Sequence, residues 1–181
     1  MSGDWRADVL KFWFGLEPKQ WWSGGPELDH RIKQDFIKLW FEKRQLPLDA
    51  FLTDPLTAIA AVILFDQFPR NMFRGDKLAF ATDPLARAIA AGAIVRGFDS
   101  QVSPDLRSFF YLPFEHSEDL ADQERGIAFY KAAGDTENLK WAEIHADIIR
   151  RFGRFPHRNA LLGRTTTPEE QAFLDGGGFA G

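Results

Sequence analysis

The 181-residue sequence contains no cysteine. That absence excludes a disulfide framework, catalysis by a thiol and metal sites built from thiolates. It fits a reducing compartment, and the first 14 residues carry acids and Arg6 rather than the apolar run of a secretory signal. We therefore expect a cytoplasmic protein.

Long hydrophobic runs and an excess of positive charge are also missing. The longest apolar run, Ala58 to Phe65, is far shorter than the roughly 20 residues that cross a bilayer. The formal net charge is −4, which is unfavourable for binding nucleic acid or an anionic membrane, and we expect neither partner. Because no phosphate-binding glycine loop or dinucleotide fingerprint is present, we predict no cofactor. The oligomeric state has no signal in the sequence.

Helical periodicity and helix-end signals run through almost the whole chain. We expect helices over about 4–14, 26–44, 54–67, 77–97 (in two pieces), 103–110, 117–134 and 136–153, and a short one after Thr167. Residues 17–25 are expected as a loop, and Pro69 and Pro113 as helix stops. The prediction is a single all-α domain over 1–175, built of stacked antiparallel hairpins, followed by a flexible glycine-rich tail over 176–181.

One short element occurs twice. Gln67-Phe68-Pro69-Arg70-Asn71 recurs as Arg154-Phe155-Pro156-His157-Arg158-Asn159, with one residue inserted, and a further arginine beside a glycine follows each copy (Arg74 and Arg164). We call these the two Phe-Pro-Arg-Asn corners. A proline that turns the chain beside a packed phenylalanine explains much of the repeat; a paired functional role is the alternative.

Three longer segments carry a family resemblance: residues 65–71, 110–119 and 151–159, in that order. Together they resemble the bacterial proteins catalogued as domain of unknown function 924, over nearly the whole chain. The resemblance implies a tetratricopeptide-like stack of helical hairpins. It implies no reaction.

Arginine dominates the candidate binding chemistry. Between Ile148 and Arg164 the chain has five arginines, one histidine and no acid. Arginine binds carboxylate and phosphate in a bidentate manner, so our first hypothesis is a small-anion pocket between the two corners. The candidate ligand-binding residues are Gln67, Arg70, Asn71, Arg74, Arg154, His157, Arg158, Asn159 and Arg164. Internal ion pairing, such as Arg70 with Asp66, is the simpler alternative.

Two further functions stay open. A hydrolase-type enzyme would use Asp66, at the end of the most apolar helix, or His116 for proton transfer. A helical-repeat interaction module is suggested by the fold type alone. His145 lies on the apolar face of its helix and is expected as a hydrogen-bonded core residue. No ligand spacing indicates a metal site, and Trp21 and Trp22 are expected to fold back over helix ends.

Overall fold

In the computed structural model, residues 3–179 are described, and they form α-helices and short turns with no strand among them. The all-α prediction is therefore confirmed for this part of the chain. Two compact units result, Met1–Pro113 and Phe114–Gly181. The single domain over 1–175 and the tetratricopeptide-like stacking stay predictions.

The first unit is built from helices separated by short connections. They are α1 (Trp5–Phe14), α2 (Pro18–Ser23), α3 (Pro26–Lys43), a 3-10 turn (Leu48–Phe51), α4 (Pro55–Val62), a π-helical turn (Ile63–Gln67), α5 (Phe68–Met72), 3-10 turns (Lys77–Phe80 and Asp99–Gln101) on either side of α6 (Asp83–Val95), and α7 (Pro104–Glu115). The last two residues of α7 belong to the second unit.

The second unit continues from the end of α7. Its helices are α8 (Leu120–Ala133), α9 (Thr136–Phe152), a 3-10 turn (Pro156–Arg158) and α10 (Pro168–Asp175). Helices α8 and α9 pack against each other. Left-handed glycines end both, Gly134 with φ 70° and Gly153 with φ 68°. A capping box at Thr167 opens α10, as its sequence predicts.

Pro69 does not stop its helix, contrary to the prediction. The chain passes from α4 through the π-helical turn directly into α5. A proline has no N–H for the carbonyl four residues earlier, here that of Phe65. The Thr82 hydroxyl donates to this carbonyl over 2.7 Å, and the Trp40 indole N–H donates to the same hydroxyl over 3.1 Å. A side chain therefore replaces the backbone donor that proline removes.

Pro113 likewise lies inside α7, which continues to Glu115. The prediction that this proline ends the helix is wrong, and so is the loop over 17–25, where Pro18 opens the short helix α2. In α2, Trp21 donates its indole N–H to the Trp13 carbonyl over 2.9 Å. The expectation that Trp21 folds back over a helix end is confirmed.

Aromatic side chains fill the core of each unit. In the first, Phe68 packs against Phe36 and Trp13 at ring-centroid distances of 4.6 and 5.7 Å. One stretch of this unit, Lys77–Val95, has the length and mean hydropathy of a membrane span. Its α6 part packs against α4. The core helix of a soluble protein can have the same length and mean hydropathy. In the second unit, the core contains Ile148, Ile149, Phe155, Phe152, Phe173 and Phe179.

Candidate functional site

The first Phe-Pro-Arg-Asn corner is held by internal ion pairs. The Arg70 guanidinium donates to both oxygens of Asp83 over 3.0 Å each, and lies 3.4 Å from the carboxylate of Asp66. Asp83, the first residue of α6, is therefore the bidentate partner of Arg70. Arg74 binds Asp29 through two contacts of 2.6 and 2.9 Å. Both guanidinium groups thus have a carboxylate of their own unit.

The second corner repeats this arrangement. Arg154 makes contacts of 2.6 and 2.9 Å with the two oxygens of Glu170. Arg164 makes contacts of 2.6 and 3.0 Å with Glu118, which also accepts the Phe155 N–H over 2.8 Å. Burial raises the pKa of Glu118, but the hydrogen bonds from Arg164 and Phe155 outweigh burial and hold that pKa below its ordinary value.

These pairs bear on the anion hypothesis. A small anion would have to displace a bidentate carboxylate at four of the candidate arginines, which favours the alternative of internal ion pairing there. The corner amides are also engaged. Asn71 donates to the Gln67 carbonyl over 3.1 Å, and Asn159 donates to Glu170 over 3.2 Å. The first corner belongs to Met1–Pro113 and the second to Phe114–Gly181, so a shared pocket stays a prediction.

The two candidate proton-transfer groups have different surroundings. Asp66 is fully buried, and the Gln67 amide donates to it over 2.6 Å. Together with Arg70, this encloses the carboxylate. His116 is half-buried at the end of α7, and its backbone carbonyl accepts a hydrogen bond of 3.1 Å from Arg158.

A different carboxylate–imidazole pair lies in the second unit. The Glu115 carboxylate, through Oε1, bonds His145 Nδ1, and both residues are buried, with exposed fractions of 3% and 6%. Glu115 is the last residue of α7, and His145 lies in the middle of α9. The expectation that His145 is a hydrogen-bonded core residue is confirmed, but its partner was not foreseen.

His157, in the 3-10 turn of the second corner, completes this cluster. Burial, reinforced by the positive charge of Arg158 and the proximity of His145, lowers the pKa of His157 to about 4, although Glu118 opposes the change. His157 is therefore neutral at pH 7, with one nitrogen as donor and the other as acceptor. The Phe179 backbone also opposes this lowering of the pKa.

Two phenyl rings join the two imidazoles in one closed arrangement. The Phe155 ring lies 5.6 Å from both His145 and His157, centroid to centroid. The Phe179 ring lies 4.3 Å from His145 and 5.4 Å from His157. We call Glu115 and these four rings the imidazole cluster.

Two polar atoms of the imidazole cluster have no hydrogen-bond partner among the residues described. Glu115 Oε2 and His157 Nδ1 are buried, and neither has a hydrogen-bond partner among the residues described. A buried acceptor without a donor costs about 1–3 kcal/mol, so two of them in one cluster require an explanation. Bound water or a ligand that supplies donors would remove this cost.

The cluster borders an open groove. The groove has a volume of about 570 Å³, and its walls include Ile144, Asp147, Ile148, Phe173 and Phe179. Phe179 thus contacts the imidazoles and also lines the groove. Within residues 3–179, no group of three histidine, aspartate or glutamate side chains has an arrangement that would hold a metal ion.

A family comparison agrees with the resemblance carried by the three segments. The family described as bacterial protein of unknown function (DUF924) matches residues 9–178. The chain belongs to this family. A solved structure of a protein of unknown function from Agrobacterium tumefaciens is 44% identical, with a TM-score of 0.91, and the alignment covers 97% of this chain and 99% of that one. No curated protein matches.

Membership in the family supports the fold and names no reaction. The chemistry must therefore be argued from side chains. Sequence reasoning missed Glu115 because it ended the helix at Pro113. With α7 continued, Glu115 lies three and four residues after buried Leu112 and Tyr111, on the same inward face. An acid on an apolar helix face was the available signal.

Proposed function

We propose that this protein is an enzyme of the hydrolase type in which the Glu115–His145 pair transfers a proton. In such pairs the carboxylate fixes the imidazole through Nδ1 and stabilises the imidazolium that forms, while Nε2 exchanges the proton with the reactants. The Glu115–His145 contact has this geometry. It replaces Asp66 and His116 as the proton-transfer group.

The observation that supports the proposal best is the unpartnered oxygen of Glu115. A carboxylate whose only task was to hold His145 in the core would be expected to have its second oxygen satisfied as well. Glu115 Oε2 is buried and has no donor in the described chain, and the same holds for His157 Nδ1. A substrate or a reacting water would supply those donors.

The step that follows is hydrolysis by general base catalysis. His145 accepts a proton from a water molecule while the water oxygen forms a bond to an electrophilic atom of the substrate. The bond to the leaving group breaks, and the proton passes from His145 to that group, so the pair returns to its starting state. Because the sequence contains no cysteine, a thiol nucleophile has no part in this reaction.

The test is a screen of chromogenic esters, phosphoesters, amides and glycosides. We expect turnover of at least one class, and a loss of about 100-fold or more in kcat/KM for both Glu115→Gln and His145→Gln. Glu124→Gln is the matched control, because Glu124 is an exposed carboxylate on α8 that belongs neither to the imidazole cluster nor to the groove wall. Turnover unchanged by the two cluster variants, or absent from every class, would refute the proposal.

The tetratricopeptide-like stacking and the cytoplasmic location belong to the same proposal. Short connections, such as the two residues between α8 and α9, support the hairpin arrangement. The absence of cysteine supports the location.

A further inference from the structure

Phe179 belongs both to the imidazole cluster and to the wall of the groove. Its ring contacts both imidazoles, and it also forms part of the groove wall beside Phe173. The groove volume of about 570 Å³ falls within the usual range for a small-molecule site.

Three glycines precede Phe179, and they determine how it is held. Gly177 has φ 79°, and the Gly177 and Gly178 amides donate to the carbonyls of Leu174 and Phe173 over 3.1 and 3.0 Å. The Gly178 backbone lies so close to the Phe173 ring that an added Cβ would be 2.5 Å from a ring carbon. The three glycines contribute no side chain, so backbone hydrogen bonds to the end of α10 and the packing of the Phe179 ring hold the segment.

We propose that Phe179 occupies a ligand slot, and that the ligand is an aromatic amine whose ring replaces the Phe179 ring. The proposal rests on the function proposed above, since it names the substrate class of the same site. The slot offers the right surroundings: Phe155 and the two imidazoles on one side, and Ile144, Ile148 and Phe173 along the groove.

Hydrogen bonding and charge select the polar part of the ligand. Two acceptors without donors, Glu115 Oε2 and His157 Nδ1, belong to residues of the imidazole cluster, and the Phe179 ring contacts the second of these residues. An ammonium group has donors only. The ionisable groups on the groove wall are Glu143, Asp147 and Lys140, two acids and one base, which sum to −1. A cation is therefore favoured over an anion, and a purely apolar ring leaves the acceptors unsatisfied.

The experiment compares three probes of one shape: benzylamine, toluene and benzoate. Binding is measured by calorimetry on the full chain, together with the imidazole nitrogen resonances of His145 and His157. We expect benzylamine to bind Phe179→Ala at least ten-fold more tightly than the unaltered chain, and to shift both imidazole signals. Toluene and benzoate should bind Phe179→Ala at least ten-fold more weakly than benzylamine.

Two further variants make the result specific. Adding Glu115→Gln to Phe179→Ala should weaken benzylamine about ten-fold and leave toluene unchanged. Phe41→Ala removes an exposed ring from the other unit and should behave like the unaltered chain. If Phe179→Ala does not fold, Phe179→Leu, which leaves part of the slot empty, replaces it with the same expected order of probes.

Three results would each overturn the proposal of a ligand slot. They are equal benzylamine affinity with and without the Phe179 ring, toluene binding as tightly as benzylamine, and unmoved imidazole signals. These outcomes are separable from the catalytic proposal. Activity that depends on Glu115 and His145 while no probe enters the slot would reject the slot alone. Binding in the slot with no turnover of any substrate class would reject the hydrolase alone.

Discussion

The Glu170 carboxylate gives the sharpest test of how the second corner is held. It accepts four hydrogen bonds: two from Arg154, one from the Asn159 amide over 3.2 Å, and one from the Thr167 N–H over 2.7 Å. The hydrogen bonds from Arg154, more than any other contact, lower the pKa of Glu170 from 4.5 to about 2. The folded state therefore favours the ionised carboxylate.

The size of the effect follows from that difference. One pKa unit corresponds to about 1.4 kcal/mol, so the full difference is worth about 3 kcal/mol at neutral pH. The Arg154 side chain is 27% exposed, and solvent screening reduces the value to about 2 kcal/mol. For a chain of this length, the melting temperature of Glu170→Gln should fall by roughly 4–8 °C at pH 7.

The pH dependence has a definite sign. Because the folded pKa is below the unfolded one, the stabilisation is present above pH 4.5 and is lost as pH falls towards about 2. The difference in unfolding free energy between the unaltered chain and Glu170→Gln should therefore shrink across this window. Urea unfolding followed by circular dichroism at pH 7, 4 and 3 measures it.

Glu169→Gln is the matched control, because Glu169 is the exposed neighbour in the same helix turn. We expect this control to change stability by less than about 0.5 kcal/mol at every pH. The reasoning is refuted if the two variants lose equal stability, or if the loss in Glu170→Gln does not depend on pH.

Three more outcomes follow from the contacts. Thr82→Val should lower the unfolding free energy by about 2–3 kcal/mol in urea titrations, because it leaves the Phe65 carbonyl without a donor and the Trp40 indole without an acceptor. Asp54→Ala should lower the unfolding free energy by about 1 kcal/mol at pH 7, because it removes a helix cap. This loss should become smaller as pH falls, because hydrogen bonds keep the pKa of Asp54 below its ordinary value despite burial. Sulfate and phosphate at millimolar concentration should leave the melting temperature within about 1 °C, since four of the five corner arginines are paired with carboxylates. A larger rise, abolished by Arg158→Ala, would restore the anion hypothesis.

Local signals predicted most of the helix ends. Asp54 before a proline, the glycines after α8 and α9, and the Thr167 capping box act within one helical turn, so the sequence alone suffices. The predictions at Pro69 and Pro113 were wrong because the rule that a proline ends a helix is also local. Whether Pro69 stops a helix depends on a donor for the Phe65 carbonyl, and that donor comes from Thr82. A contact over 17 residues has no local signature.

The candidate site was predictable only in part, for the same reason. The arginine-rich corners stand out in sequence because charge is visible there, but the carboxylates that neutralise them are distant. Asp29 is 45 residues from Arg74, and Glu118 is 46 residues from Arg164. His145 was placed correctly in the core by its helical face. Glu115 was missed because its helix was expected to end before Pro113, and Phe179 because glycine content suggested a flexible tail.

The carboxylates of the second corner and of the imidazole cluster differ in how completely they are hydrogen-bonded. A buried charge is stable when its hydrogen bonds are complete, and the corner carboxylates approach that state, with Glu170 accepting four donors. The four donors to Glu170 rigidify the second corner. Glu115 differs, because one oxygen orients His145 while the other is buried without a donor. Glu115 thus combines an oxygen that the fold has not satisfied with a bound imidazole, which is why we propose this pair for proton transfer.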